Sequence, residues 1–266
     1  MRTTVEMAPG ARLLRLESAI ASFTDILRVG ALDARIPACP DWDLRYLAWH
    51  LGHAHRWAGR CLIDGPAPFP TEPGPDTRTE LVTWYRESAA QLLTTLRRSG
   101  PTAECWTFDP ENLTAGFWVR RQMHETVMHL WDAQRSQGDP EPMGPLVAAD
   151  GVAEALGFFL PRQIRLERLE EVPGRLLIEL TDVCSARWLL RPDGAERLAP
   201  DRAVRIAAGE NQRARIGTAW APALVRGPAQ AVLLLLWHRL SLHDPRLEYA
   251  GDRPSAQEIL ASALTP

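Results

Sequence analysis

Lysine is absent from this chain, and all 30 basic residues are arginine. Against 33 acidic residues they leave a formal net charge of −3, so no global attraction to nucleic acid is expected. Long apolar runs are missing too. The strongest, Ala231–Trp237, falls far short of the roughly 20 residues needed to span a bilayer. The first stretch, MRTTVEMAPGARLLRLE, carries Glu6 and Glu17 and lacks an apolar centre, so a secretory signal is not expected. Cysteine is scarce: Cys39, Cys61, Cys105 and Cys184 are widely spaced and form no CxxC pair. Buried or free thiols in a cytoplasmic protein fit this better than a disulfide framework. Arginine in place of lysine, with 22 prolines and much alanine, reflects GC-rich coding of the actinobacterial kind and is no demand of the fold.

What is present is helical periodicity in the first part of the chain. Leu13, Leu14, Ile20, Phe23, Ile26 and Leu27 make an apolar stripe over Ala11–Leu32. Asp43 is a candidate N-cap for a second helix reaching Ile63, stopped by Gly65-Pro66. The Pro-rich stretch Asp64–Arg78 cannot be helix. Further helices are expected over Thr79–Arg98, Phe117–Gln134 and, ending at Pro161, Leu146–Leu160. Four long helices suggest an antiparallel bundle. After a charged linker at Arg162–Gly174 the pattern changes. Arg175–Thr181, Ala186–Pro192 and Ala203–Ala208 read as strands, a fourth falls within Ala219–Arg226, and a helix follows over Ala229–Leu242. The expected architecture is a helical bundle over residues 1–165 followed by a small α+β domain over 166–266.

The chemistry concentrates in Phe117–Gln134, FWVRRQMHETVMHLWDAQ. Glu125 and His129 are four apart and share a helix face, about 40° from each other at about 100° per residue. One carboxylate oxygen and one imidazole nitrogen suit zinc and similar divalent ions. The motif HETVMH is one residue longer than the zinc-protease HExxH, so His124 and His129 diverge and a zincin helix is excluded. Two ligands hold a metal poorly, so a third must come from another element. The second helix offers His50, His53 and His55 in WHLGHAHRW. His50 and His53 share a face about 60° wide, His55 points away, and periodicity does not choose between the first two.

CPDWDLRYLAWHLGHAHRW, RRQMHETVMHLWDA and VRGPAQAVLLLLWHRL together resemble the mycothiol-dependent maleylpyruvate isomerase family, whose N-terminal part is a DinB-like metal-binding antiparallel four-helix bundle. Asp41 stands where the family usually has Gly, and Asp43 where it has a Thr or Ser cap. The resemblance implies His50, Glu125 and His129 as metal ligands and Arg239 as a functional arginine of the C-terminal domain. It gives His53 and His55 no ligand role; His53 is then a candidate substrate-side group and His55 a packing or supporting residue. Three protein ligands leave an open position, the mark of a catalytic site.

The cofactors implied are Zn2+ or another divalent metal, and mycothiol. The partners are that low-molecular-weight thiol and an electrophilic small molecule, with neither nucleic acid nor membrane. A metal-bound thiol is deprotonated at neutral pH, and the thiolate is the nucleophile. It would isomerise a maleylpyruvate-like cis double bond by addition, rotation and elimination, with Arg239 holding a carboxylate or enolate. With a leaving group on the electrophile, the outcome is mycothiol S-transfer. Two other readings compete: a non-catalytic zinc-binding regulator or stress protein, and a metal-water hydrolase with His53 as base.

Overall fold

The computed structural model describes residues 7–184, 186–199, 204–206 and 219–266. Contacts divide the described residues into two units, Ala8–Glu141 and Pro142–Pro266, the latter with Met7, whose N–H donates to Asp150.

The first unit is a four-helix bundle: α1 (Pro9–Val29), a small hairpin of β1 (Arg35–Ile36) and β2 (Cys39–Asp43), α2 (Leu44–Asp64), α3 (Arg78–Ser99) and α4 (Ala115–Gln137). Local chemistry sets the helix ends. Asp43 accepts the Tyr46 N–H at 2.9 Å and caps α2 as expected. Thr77 caps α3 through the Glu80 N–H. Gly65 and Gly100 end α2 and α3 at φ +86° and +71°, values that favour glycine. Helices α1 and α2 each pack against both α3 and α4, which places α1 diagonal to α2. At Gly52 the Trp84 side chain of α3 lies against α2, where a Cβ would overlap the indole.

Helix α4 is the most deeply set. Its buried positions run around the whole helix and include Arg121, Gln122, His124, His129 and Asp132. Buried polar groups are tolerated only with partners, so a helix that buries this many of them must build a polar network.

The second unit opens with α5 (Pro145–Glu154), a π-helical turn at Ala155–Phe159 and α6 (Leu160–Arg165). Pro161 therefore does not end the helix, contrary to expectation. The π turn accounts for this: the Leu160 N–H reaches back five residues to Ala155 O, and the widened turn accommodates the proline, which has no N–H to offer. Helix α5 packs on α7 (Ala229–Leu236), so it belongs with the C-terminal strands and not with the bundle as its apolar pattern suggested. The division accordingly lies at Glu141/Pro142, not near residue 165.

The sheet has the order β5-β4-β3-β8-β9, with β3 (Leu176–Leu180), β4 (Arg187–Arg191), β5 (Gly194–Arg197), β8 (Ala223–Gly227) and β9 (Glu248–Gly251). All neighbours are antiparallel except β3 and β8, which run parallel with Leu176 opposite Ala223. The central strand β3 is covered on both faces, which explains its unbroken LLIEL run. Leu177 and Leu189 pack with Leu198 and Ala221 on one face, while Leu176, Ile178 and Leu190 are buried on the other. Of the expected strand at 203–208, Val204–Ile206 form β6, paired in parallel with β7 (Ala219–Ala221); the rest lies outside the described residues. Helix α8 (Arg253–Ala261), with no counterpart in the expected elements, packs against β8.

Helix α7 is shorter than its apolar pattern predicts. It stops at Leu236, and His238 adopts φ +57°. The His238 N–H bonds Leu235 O and the Arg239 N–H bonds Leu234 O, the paired bonds of a Schellman turn with histidine in the glycine position. Arg239 thus sits in the turn beyond the helix. No helix among the described residues is long and apolar enough to cross a membrane.

Candidate metal centre

The hairpin before α2 and the inward faces of α2 and α4 meet at one cluster. His50 Nε2 lies 3.0 Å from Glu125 Oε1, and His129 Nε2 lies 3.3 Å from the same oxygen. One donor atom from each of the three residues falls within 4.8 Å of the other two. His124, buried on the same helix, stands outside this group.

Supporting contacts orient each member. Asp132, one turn beyond His129 and 1% exposed, bonds His129 Nδ1 at 2.9 Å. A carboxylate there holds an imidazole proton on Nδ1, so that Nε2, which faces Glu125, is the nitrogen a metal would take in exchange for its proton. Arg121, one turn before Glu125, donates to Glu125 Oε2 at 2.9 Å and leaves Oε1 facing the histidines. Burial alone would raise the Glu125 carboxyl. The bonds from His129 and His50, with the charges of His129 and Arg121, more than offset it and hold the group well below the usual carboxylate range. Burial likewise works against the His129 imidazolium, but Asp132 and then Glu125 reverse it and push the group up to about 9. The Glu125 and Asp132 carboxylates thus favour positive charge at His129.

The donor set fits a divalent ion. Around a tetrahedral ion with bonds of about 2.0–2.1 Å, neighbouring donor atoms stand about 3.3 Å apart, close to the two separations found here. Two imidazole nitrogens and one carboxylate oxygen suit zinc and its neighbours. His55, the third histidine of α2, is fully buried and takes another path. Its Nε2 meets Thr126 Oγ1 at 3.1 Å, and that hydroxyl donates to Gln122 O. Desolvation dominates its titration, and its pKa is lowered to about 3, so His55 is a neutral packing residue.

Aromatic rings wall the cluster. Trp42, from the hairpin, has its ring centroid 4.8 Å from that of His50 and 6.0 Å from that of His129. Phe69, from the Pro-rich segment after α2, has its ring centroid 5.7 Å from that of His50 and 5.7 Å from that of Trp57. Beyond Trp57 the rings continue through Trp118 and Phe108.

That Pro-rich segment follows α2 back along its length, held by side chains at every fourth position of the helix. Arg45 donates to Asp76 O, Trp49 Nε1 to Pro75 O at 3.0 Å, His53 Nε2 to Glu72 O at 2.8 Å, and Trp57 Nε1 to Ala67 O at 2.8 Å. Gly74 is required where the segment crosses Trp49, since a Cβ there would overlap the indole. His53, expected to face a substrate, has its Nε2 engaged by this backbone and stands outside the ligand group. Arg239, in the C-terminal unit, donates from Nη1 to Trp237 O at 3.0 Å. Asp132 and Arg121 escaped the sequence reading although i+3 and i−4 spacing marks both. Trp42 and Phe69 carry no comparable signal, because they arrive from a hairpin and a loop.

A four-helix bundle carrying a His/Glu/His cluster between two of its helices, followed by a small α+β unit, is a DinB-like architecture. Residues 13–134 match the family model described as the mycothiol maleylpyruvate isomerase N-terminal domain, and residues 147–258 match the MDMPI C-terminal domain. The chain belongs to the mycothiol-dependent maleylpyruvate isomerase family. Its fold is similar to the crystal structure of a mycothiol-dependent maleylpyruvate isomerase, with TM-score 0.54 and 12% identity over 92% of this chain and 93% of that one. It is also similar to a histidine-to-alanine variant of such an isomerase, with TM-score 0.53 and 11% identity over 86% and 88% of the two chains. A search of curated protein sequences gave no match.

Proposed function

We propose that His50, Glu125 and His129 hold a divalent metal ion, zinc foremost, and that the chain is a mycothiol-dependent enzyme acting on an electrophilic small molecule. The observation that carries this reading is the convergence of two Nε2 atoms on one carboxylate oxygen at 3.0 and 3.3 Å, in a chain of this family. Bound there, such an ion would supply a Lewis-acidic position at which a low-molecular-weight thiol loses its proton at neutral pH. Three protein ligands leave that position open.

The chain's own residues do the rest. Asp132 keeps the His129 proton on Nδ1, and Arg121 neutralises the outer oxygen of Glu125. Trp42 and Phe69 line the flank of His50 with apolar rings. Arg239 serves as the anion-binding group, its planar guanidinium suited to a substrate carboxylate or a developing enolate. Such a thiol would supply a nucleophile for a maleylpyruvate-like cis double bond, which would return the thiol on isomerisation, or for a carbon whose leaving group would depart as the S-conjugate forms. We place the protein in the cytoplasm of an actinobacterial-type cell, where such a thiol is made.

Calorimetric titration of mycothiol into metal-free and zinc-loaded protein tests this directly. Binding only to the loaded form is expected; absence of binding in both forms overturns the thiol reading. Metal analysis of His50→Ala, Glu125→Ala and His129→Ala should show each losing most of its metal, with His55→Ala retaining it. Retention by Glu125→Ala would remove that ligand assignment. Arg239→Ala should keep its metal and lose turnover.

A further inference from the structure

The segment 65–77 is a strap laid along α2, and the way it is held is informative. Most of its residues are exposed, Phe69 among them at 40%, so burial does not fix its course. The four donors at 45, 49, 53 and 57 do, each on a backbone carbonyl. Their spacing of four puts all of them along one face of the helix, and the carbonyls they take run in the opposite chain direction. The strap's one ring at the site, Phe69, is thereby held near both His50 and Trp57. Beside His50 the strap leaves a cavity of about 80 Å3, bounded by Tyr46, Trp49, His53, Phe69 and the strap at Pro70–Pro73. Drug-sized ligands need roughly 300–1,000 Å3, so on this flank only a few atoms fit.

We propose that Phe69 is a specificity-determining residue, limiting the size of the group that lies beside His50, and that His53 is the positioning residue that keeps it there. This rests on the metal and thiol reading above and deepens it. Phe69 lies against His50, with ring centroids 5.7 Å apart. His53 acts through Glu72, three residues further along the strap, and does not take part in proton transfer: a carbonyl only accepts, so the Nε2 proton is committed to it, and Nδ1 is buried without a partner. The strap bounds the space beside His50, and removal of the ring or of its tether enlarges it.

The test uses the full chain loaded with Co2+, whose visible absorption reports a ligand entering the open position. The probes are 2-mercaptoethanol and benzyl mercaptan. Wild-type protein should favour the small thiol. Phe69→Ala should raise benzyl mercaptan affinity about tenfold, the order expected for adding room in an apolar pocket, with 2-mercaptoethanol unchanged. His53→Ala should shift the ratio the same way. His53→Gln, whose amide can still donate to Glu72 O, should restore it, which a general loss of stability would not do. An affinity ratio unchanged by both Phe69→Ala and His53→Ala overturns the proposal. If Co2+ does not bind, or neither thiol alters its spectrum in wild-type protein, the metal and thiol reading fails first and the selectivity proposal falls with it.

Discussion

Asp132→Asn separates a metal centre from a buried ion-pair cluster. The wild-type carboxylate accepts the His129 Nδ1 proton at 2.9 Å and is 1% exposed, so no solvent dilutes the interaction. Asparagine keeps the size and one acceptor oxygen but removes the charge. Its amide can also rotate to present N–H groups to Nδ1, which favours the tautomer with the proton on Nε2, where the metal must bind. Losses of 10- to 100-fold in metal affinity are usual for such supporting carboxylates, equivalent to about 1.4–2.7 kcal/mol at 1.36 kcal/mol per decade. Zinc affinity by competition with a chromophoric chelator measures this directly, and melting curves with and without zinc give an independent reading. At a free-metal concentration about 1,000 times Kd, wild-type protein should gain about 4 kcal/mol from the ion, and the variant correspondingly less. A variant with wild-type zinc affinity would refute the assignment of His129 Nε2 as a ligand oriented by Asp132. A variant destabilised equally with and without zinc would show that Asp132 serves packing alone.

His55 sets a pH limit on the bundle. Its folded pKa of about 3 lies below the free value of 6.5, so the unfolded chain binds a proton that the folded one refuses between these values. Stability from this group is complete above about pH 7.5 and falls as the pH is lowered through 6.5. At pH 5 the loss is about 2 kcal/mol. Urea unfolding at pH 7.5 and 5.0 should show wild-type protein losing about that much more than His55→Leu, and equal losses would contradict it. Gly52→Ala should destabilise by about 1–3 kcal/mol, because the new Cβ displaces Trp84. If helix propensity decided instead, the same change would stabilise by about 1 kcal/mol. His238→Gly should stabilise the C-terminal unit by about 1 kcal/mol, since the exposed His238 holds a left-handed backbone that suits glycine. A lowered melting temperature in that variant would refute the Schellman account.

Much of the site was legible because it rests on helix periodicity. The i, i+4 pair Glu125/His129 needs only one regular helix to converge, and the cap at Asp43 fixes where α2 begins. The choice between His50 and His53 was not legible. Both lie toward one side of α2, and only the course of a non-helical segment decides which of them is taken up by a carbonyl. Periodicity also misjudged the apolar stretches 146–160 and 229–242. A helix apolar on all sides carries no directional signal, so nothing in α5 announced that its partner is α7, some eighty residues later. Nor did the apolar run announce that α7 would stop at Leu236, because the stop uses a histidine where glycine is the usual sign. Pro161 misled for a different reason: the π turn before it removes the conflict that normally makes proline a terminator.

The ladder on α2 reads carbonyl oxygens, which every amino acid supplies. Apart from Gly74, then, the identity of the strap's residues is uncoupled from its attachment. Random libraries at positions 68–71 should yield mostly folded proteins with the strap in register, each presenting a different surface to the neighbourhood of His50. Such variation would change the surroundings of His50 and leave Glu125, His129 and their partners Arg121 and Asp132 untouched. It also locates where a designer would begin.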